Sequence, residues 1–422
     1  MKMRVAWMSR TVIGVAVGLT LWTGMAGGQE KKEPRKGVPS KPVDTKAPAT
    51  GQGTTPAAPA PPTVAELDRK AQTFIEQGKS QEALPLLRQA VALDPKSIQS
   101  RVLLGRAYAV IRQFPAATQA FQAAVDLSPK EPEFLYYLGS SQVDEAKYAA
   151  ARANFDRALE LSPSDLRFRL VVAETYLQQK EYSAARRSLL EALGFAPDSP
   201  EVHARLGDLD EQENRHTEAL EEYDAALRTD PKSLSGLLGR ASALSGLKRF
   251  VEAEKIVRDL LVQNATSPDS HSTLAQILDA EGKHLSAIGE YRLALAAAPN
   301  SAPLWGNLGW SQYEEGLMDE SVTSGRKALA LDPKQAYVRF NIGLAYAARD
   351  QWNQALKEYQ DGIAIAAAPD IRSAANDLRD VVAKGRPTAA VRQALELLTK
   401  AELRASGLPD DVLTLSTVTR GR

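Results

Sequence analysis

The 422-residue sequence predicts an all-α chain, an array of short antiparallel helix pairs, on three observations. Prolines recur at a step of 34 as Pro95, Pro129, Pro163, Pro197 and Pro231, and return in phase at Pro299 and Pro333. Two alanine columns keep the same step: Ala83, Ala117, Ala151, Ala185, Ala219, Ala253, Ala287 and Ala355, then Ala90, Ala124, Ala158, Ala192, Ala226, Ala294 and Ala328. Between the columns stands one large ring, in the form of Phe121, Phe155, Tyr223, Tyr291 or Tyr359. Self-similarity at a fixed period of this size marks repeat architectures.

From the N-terminus, Lys2, Arg4 and Arg10 precede a charge-free apolar stretch, Thr11 to Gln29, that ends in small residues, Ala26-Gly27-Gly28. A positive start, a short apolar run and a small-residue exit predict a signal peptide over 1–28, with cleavage after Ala26 or Gly28. Kept uncleaved, the same run would be an anchor; either way the positive end stays inside and the rest is exported, to a periplasmic or envelope location. Membrane contact is then expected only through this N-terminal segment. Residues 29–63 are rich in proline, alanine and lysine and hold no aromatic residue, which predicts a disordered, semi-rigid linker.

Within each repeat, apolar residues at offsets of three and four mark two amphipathic helices. A Leu-Gly or similar pair opens each unit, as in Leu104-Gly105, Leu138-Gly139, Leu206-Gly207, Leu308-Gly309 and Ile342-Gly343. Small residues let two helices approach, and the ring fills the space they leave. The proline stops the second helix. Helices of about 13 residues are marginal alone, so each pair needs neighbours to bury its faces. After the repeats, residues 371–384 and 388–405 read as two helices separated by Gly385-Arg386-Pro387, a cap over 370–405. Residues 406–422 read as a flexible tail.

These columns resemble the tetratricopeptide repeat, whose pattern of Leu-Gly, Tyr, Ala, Phe, Ala and Pro is matched slot by slot over 64–369, in nine units starting at 64, 98, 132, 166, 200, 234, 268, 302 and 336. The family's early tryptophan appears as Trp305, and Gly325 and Gly362 depart from the large-ring and alanine slots. With Gly325 there, the second helix of the unit at 302 is expected to pack loosely. The resemblance implies a right-handed superhelical solenoid whose first helices line a groove that holds a protein or peptide. In that groove the family pattern places Trp310, Tyr313, Tyr337 and Phe340, flanked by Asn307 and Asn341, and these six are the expected partner-binding residues, with the aromatics exposed. The apolar stripe of Val102, Tyr136 and Leu170 is expected to be packing, and the acidic run around Asp208 and Glu211 a solvated face. The family's clamp for a C-terminal carboxylate needs Lys and Asn in slots that hold Asp68, Gln72, Gln99, Leu103 and Glu133 here, so that mode is not expected.

Composition narrows the function. Basic and acidic side chains balance at 52 each, and residues 1–62 hold the basic excess, so the repeats are mildly acidic. That argues against nucleic acid as a partner. Zero cysteine removes disulfides, thiolate metal sites and thiol nucleophiles. No phosphate-binding loop, dinucleotide fingerprint, nucleophile elbow or His-Glu-x-x-His motif is present. His203 and His271 share one slot of the repeat and His216 and His284 another, which reflects shared ancestry of the units, and no metal or cofactor is expected. The expected function is a non-catalytic scaffold or adaptor. The alternatives are an accessory subunit that organises an envelope enzyme or export complex through its convex face, and a carbohydrate binder that stacks sugars on Trp310 and Tyr313.

Overall fold

The computed structural model describes residues 61–405 apart from Arg386; the expected signal peptide, nearly all of the linker and the tail lie outside the described residues. Among those residues there are twenty α-helices and no strand. They fall into two compact units that divide at Asp198.

The first unit contains α1 (Val64–Glu76), α2 (Ser80–Leu93), α3 (Ile98–Val110), α4 (Phe114–Leu127), α5 (Pro132–Asp144), α6 (Tyr148–Leu161), α7 (Leu166–Gln178) and α8 (Tyr182–Phe195). The second opens with α9 (Pro200–Gln212), α10 (His216–Thr229), α11 (Leu234–Gly246), α12 (Phe250–Gln263), α13 (Pro268–Glu281) and α14 (His284–Ala297). It continues with α15 (Ala302–Glu314), α16 (Met318–Leu331), α17 (Ala336–Ala348), α18 (Trp352–Ile363), α19 (Ala368–Lys384) and α20 (Ala389–Ala405).

The helix starts are written locally. The recurring proline sits in the turn, and in several repeats a Ser or Asp two residues later caps the next first helix. Ser97 accepts from the Ser100 amide, Asp165 from Arg167, Ser199 from Val202 and Ser301 from Leu304. Such a cap satisfies one amide that the first helical turn leaves without a partner. The turn inside each pair depends on one residue in the left-handed region, at Gly78, Arg112, Ala146, Lys180, Asn214, Lys248, Gly282, Gly316 and Asp350. Around Ala146 the amide of Lys147 donates to the Gln142 carbonyl at 2.8 Å, closing the C-terminal end of α5.

The alanine columns are fully buried, and the rings between them lie against the glycines of the first helix. A Cβ on Gly105 would lie 2.6 Å from the Phe121 ring, one on Gly139 2.5 Å from Phe155, and one on Gly207 2.8 Å from Tyr223. Glycine and ring are therefore one device: the missing side chain is the seat for the aromatic.

The expected loose packing at Gly325 is corrected by the structure. Ile342 of α17 fills the vacated position, such that a Cβ on Gly325 would lie 2.6 Å from Ile342 Cγ1. A Cβ on Gly309 would lie 3.2 Å from the Ser321 carbonyl oxygen, so α15 and α16 meet nearly backbone to backbone. Beyond the last pair, α19 and α20 place Ile371, Leu378, Val391 and Leu398 in one core with Phe340, Leu344 and Tyr359. Asp350, the left-handed turn residue before α18, accepts from the Ala390 amide at 2.9 Å, and Thr388 donates to the Ala347 carbonyl at 2.6 Å.

Candidate functional site

The six residues expected in the groove sit on α15 and α17, and the structure separates them into two groups. Phe340 is only 4% exposed and stacks on Tyr359, ring centroids 6.3 Å apart. Its expected exposure is corrected: Gly362 of α18 has no side chain, and the Phe340 ring fills that notch. Tyr313 is buried as well, in the core that α19 and α20 complete, and burial pushes its phenol up from the ordinary value. Asn307 is buried facing the hydroxyl of Tyr291. Tyr337 is half-buried, but its hydroxyl is engaged over Gly306, where a Cβ would lie 2.7 Å away, and desolvation raises its phenol too.

Trp310 and Asn341 make up the other group, both half-buried. Trp310 leans on Tyr313 with centroids 5.6 Å apart. Its indole N–H donates to no group among the described residues, whereas the N–H of Trp305 donates to the Pro299 carbonyl at 2.9 Å. The Asn341 amide also has no hydrogen-bond partner among the described residues. A half-exposed indole with its donor free, and a free amide on the next first helix, form an apolar surface with polar handles.

In the first unit, Tyr136 lies 6.1 Å from Phe155 and 5.9 Å from Phe168, centroid to centroid, so this stretch of the stripe is interhelical packing. The acidic run around Asp208 is not a solvated face, and that expectation is corrected. Asp208 accepts from the Tyr223 hydroxyl at 2.7 Å, Asp210 pairs with Arg215 at 2.8 Å, and Glu211 bonds His216 Nδ1 at 2.8 Å. Each carboxylate meets its partner inside its own helix pair.

Residue-level reasoning missed a polar network between α13, α14 and α15. Asp279 accepts from Ser311 at 2.6 Å and bonds His284 Nδ1 at 3.0 Å. Burial raises its carboxyl despite those bonds, and the hydrogen bond to Asp279 in turn raises the His284 imidazole. The other histidines bond carboxylates as well, His203 to Glu222 at 2.7 Å and His271 to Glu290 at 2.6 Å. The only sequence signal for these pairs is that both partners recur 68 residues apart.

The fold class is that of helix-pair repeats used as protein-interaction scaffolds. Models described as tetratricopeptide repeat match residues 69–132, 142–209, 211–277 and 272–336. The chain belongs to the tetratricopeptide repeat family. It is similar to the "BBSome complex member BBS4 homolog" of Drosophila melanogaster, 22% identical over 156 residues, which is 37% of this chain and 32% of that protein. It is also similar to the human "Protein O-mannosyl-transferase TMTC1", 26% identical over 147 residues, 34% of this chain and 17% of that protein. The chain thus spans about a third or less of the length of these relatives. The crystal structure of the yeast Tom70 superposes with a TM-score of 0.52 at 14% identity, covering 84% of this chain and 85% of that one, a likeness of fold.

Proposed function

We propose that the protein is a non-catalytic adaptor that works outside the cytoplasmic membrane and holds a partner protein or peptide on the first-helix face of α15 and α17. One observation carries this reading: Trp310 keeps a half-buried ring on the first-helix face whose indole N–H has no partner among the described residues, whereas the N–H of Trp305 is taken by the Pro299 carbonyl. Aromatic side chains dominate binding hot spots, and the Asn341 amide supplies a handle for a peptide backbone. Tyr313, Phe340, Tyr337 and Asn307 shape and stiffen this surface from behind. The likeness to an O-mannosyl-transferase spans 17% of that protein, and we take it as kinship of repeats, with no catalysis assigned here.

Export rests on the sequence alone, on the charged start and apolar stretch before residue 29. Among the described residues no helix is long and apolar enough to cross a membrane. N-terminal sequencing of the mature protein should begin after Ala26 or Gly28; a start at Met1 would refute cleavage. Full-length protein bearing Trp310→Ala or Asn341→Ala, with unchanged helicity, should lose crosslinked partners that the parent protein retains from envelope extract. Equal recovery by parent and variants would remove the α15–α17 face from the function.

A further inference from the structure

The side of the second unit formed by the second helices α14 and α16 holds a cavity of about 550 Å³, with α15 as its floor. Its origin can be traced in the repeat. Two slots that face each other across a helix pair hold His203 and Glu222 in one repeat and His271 and Glu290 in another, each joined by a hydrogen bond. In the repeat at 302 the same two slots hold Trp305 and Ser324. A polar bridge is replaced by a broad ring and a small residue, which opens space and makes the floor apolar, with Leu295 and Leu308 beside Trp305.

The walls of this cavity carry unmatched donors. Arg292 has no carboxylate partner among the described residues, and Lys327 holds its ammonium 4.2 Å from the centroid of the Trp305 ring with no carboxylate on it. Gln312 is 3% exposed. Its Oε1 accepts from Ser324 Oγ at 2.7 Å, while its amide nitrogen has no partner among the described residues. That nitrogen belongs to a residue lining the cavity and is available to an acceptor brought by a ligand. Of the two acidic residues at the rim, Asp319 is bound by Arg349, leaving Glu320 as the uncompensated one.

Two cations and an amide donor around an apolar floor complement a carboxylate that sits next to an apolar side chain. A volume of about 550 Å³ takes one or two side chains and is too small for a packed helix. We propose that this cavity is a second docking site, which takes an internal segment of a partner protein in which Asp or Glu adjoins a large apolar residue. The apolar side chain lies on Trp305 and Leu308, and the carboxylate meets Lys327, Arg292 and the Gln312 amide. This site is separate from Trp310 and does not depend on it.

The test is selection from a phage-displayed library of random dodecapeptides on the full-length protein. Selected sequences should be enriched in Asp or Glu beside Leu, Phe, Ile or Trp. Synthetic amidated peptides of the consensus should bind Arg292→Glu and Lys327→Glu roughly tenfold or more weaker, as expected for loss of a charge-assisted bond. They should bind Trp310→Ala as they bind the parent, which keeps this site distinct from the α15–α17 face. Both charge reversals are at wall positions, and unchanged thermal unfolding establishes that they fold; Ser324→Leu, which fills the cavity, is a second variant expected to abolish binding. Three results would overturn the proposal: no acidic-apolar consensus, a consensus whose binding ignores all three cavity variants, or a cavity that takes 4-phenylbutyrate but selects no peptide.

Discussion

Phe340 is seated in a notch that Gly362 makes: a Cβ at residue 362 would lie 2.6 Å from Phe340 Cε1. Glycine at 362 thus has the same relation to a ring as the glycines of the first helices, with the roles of the two helices exchanged. Adding a methyl there forces the ring or the helix to move, and overpacking of this kind costs about 1–3 kcal/mol. Removing the ring with Phe340→Ala leaves a cavity in the core shared with α19 and α20 and should cost about 3–5 kcal/mol. Urea unfolding of the two variants should show both losses. Because Phe340 is a core residue, lost partner binding in Phe340→Ala would report a disturbed fold, and a Trp310 variant is the proper test of contact.

The intra-pair turns predict substitutions of opposite sign. Ala146 sits at φ 59° in the left-handed region and is exposed, so Ala146→Gly should stabilise by up to about 1 kcal/mol as the steric cost of Cβ disappears. Gly282, at φ 89°, has nothing within 4 Å of where a Cβ would stand. Gly282→Ala should therefore destabilise by about 1 kcal/mol through the backbone alone. Thermal melts that move in the same direction for both would contradict the turn geometry.

The helix pairs were legible in the sequence because they depend on contacts inside one period. Leu104-Gly105 and Phe121 lie 16 or so residues apart, and each recurrence repeats the same local arithmetic. Which aromatic is exposed was not legible in the same way, since it depends on what the next element brings. Phe340 is buried by Gly362 and Tyr359, and Tyr313 by the core that α19 and α20 complete. The departure of Gly362 from the alanine column was the available signal: an unexpected glycine is a seat, and Phe340 is the large side chain that takes it. The same logic applies at Gly325, where Ile342 from the next repeat took the position. The cavity over Trp305 needed knowledge of which two slots face each other across a pair, and the spacing of columns does not supply that.

Glu358 predicts a specific order among three variants. Its side chain is 1% exposed, meets Arg326 at 2.5 Å and has Arg339 at 3.6 Å. Arg326→Met strands this carboxylate with only the longer contact and should destabilise by roughly 3 kcal/mol, at the lower end of the range for a broken buried pair because Arg326 itself is half-exposed. Replacing both partners, as in Arg326→Met with Glu358→Leu, should restore most of that loss, since well-packed apolar residues replace buried pairs at little cost. Glu358→Leu alone should fall between them, because it leaves Arg339 with Asp361 at 3.3 Å. A double variant less stable than Arg326→Met would show that the carboxylate is tolerated without its partner.

His284 makes the stability of the second unit pH-dependent. Its hydrogen bond to Asp279 raises the imidazole above its ordinary value; burial opposes this, and the charges of Asp279, Glu314 and Glu315 act with the bond. A histidine that binds its proton more tightly in the fold than in the unfolded chain adds stability that is complete below the unfolded value of about 6.5. That contribution disappears as pH rises through the higher folded value. Asp279 acts in the same sense at lower pH: burial holds its carboxyl above the ordinary range, so ionising it costs stability as pH rises from about 4 to its folded value. His284→Gln keeps a donor for Asp279 but cannot take up the proton. The difference in unfolding free energy between parent and His284→Gln should therefore be larger at about pH 6 than at about pH 8.5, and this is readable from urea titrations at the two values. A difference that stays constant between them would mean that the imidazole titrates alike in the folded and unfolded chains, and that the Asp279 contact holds it by geometry alone.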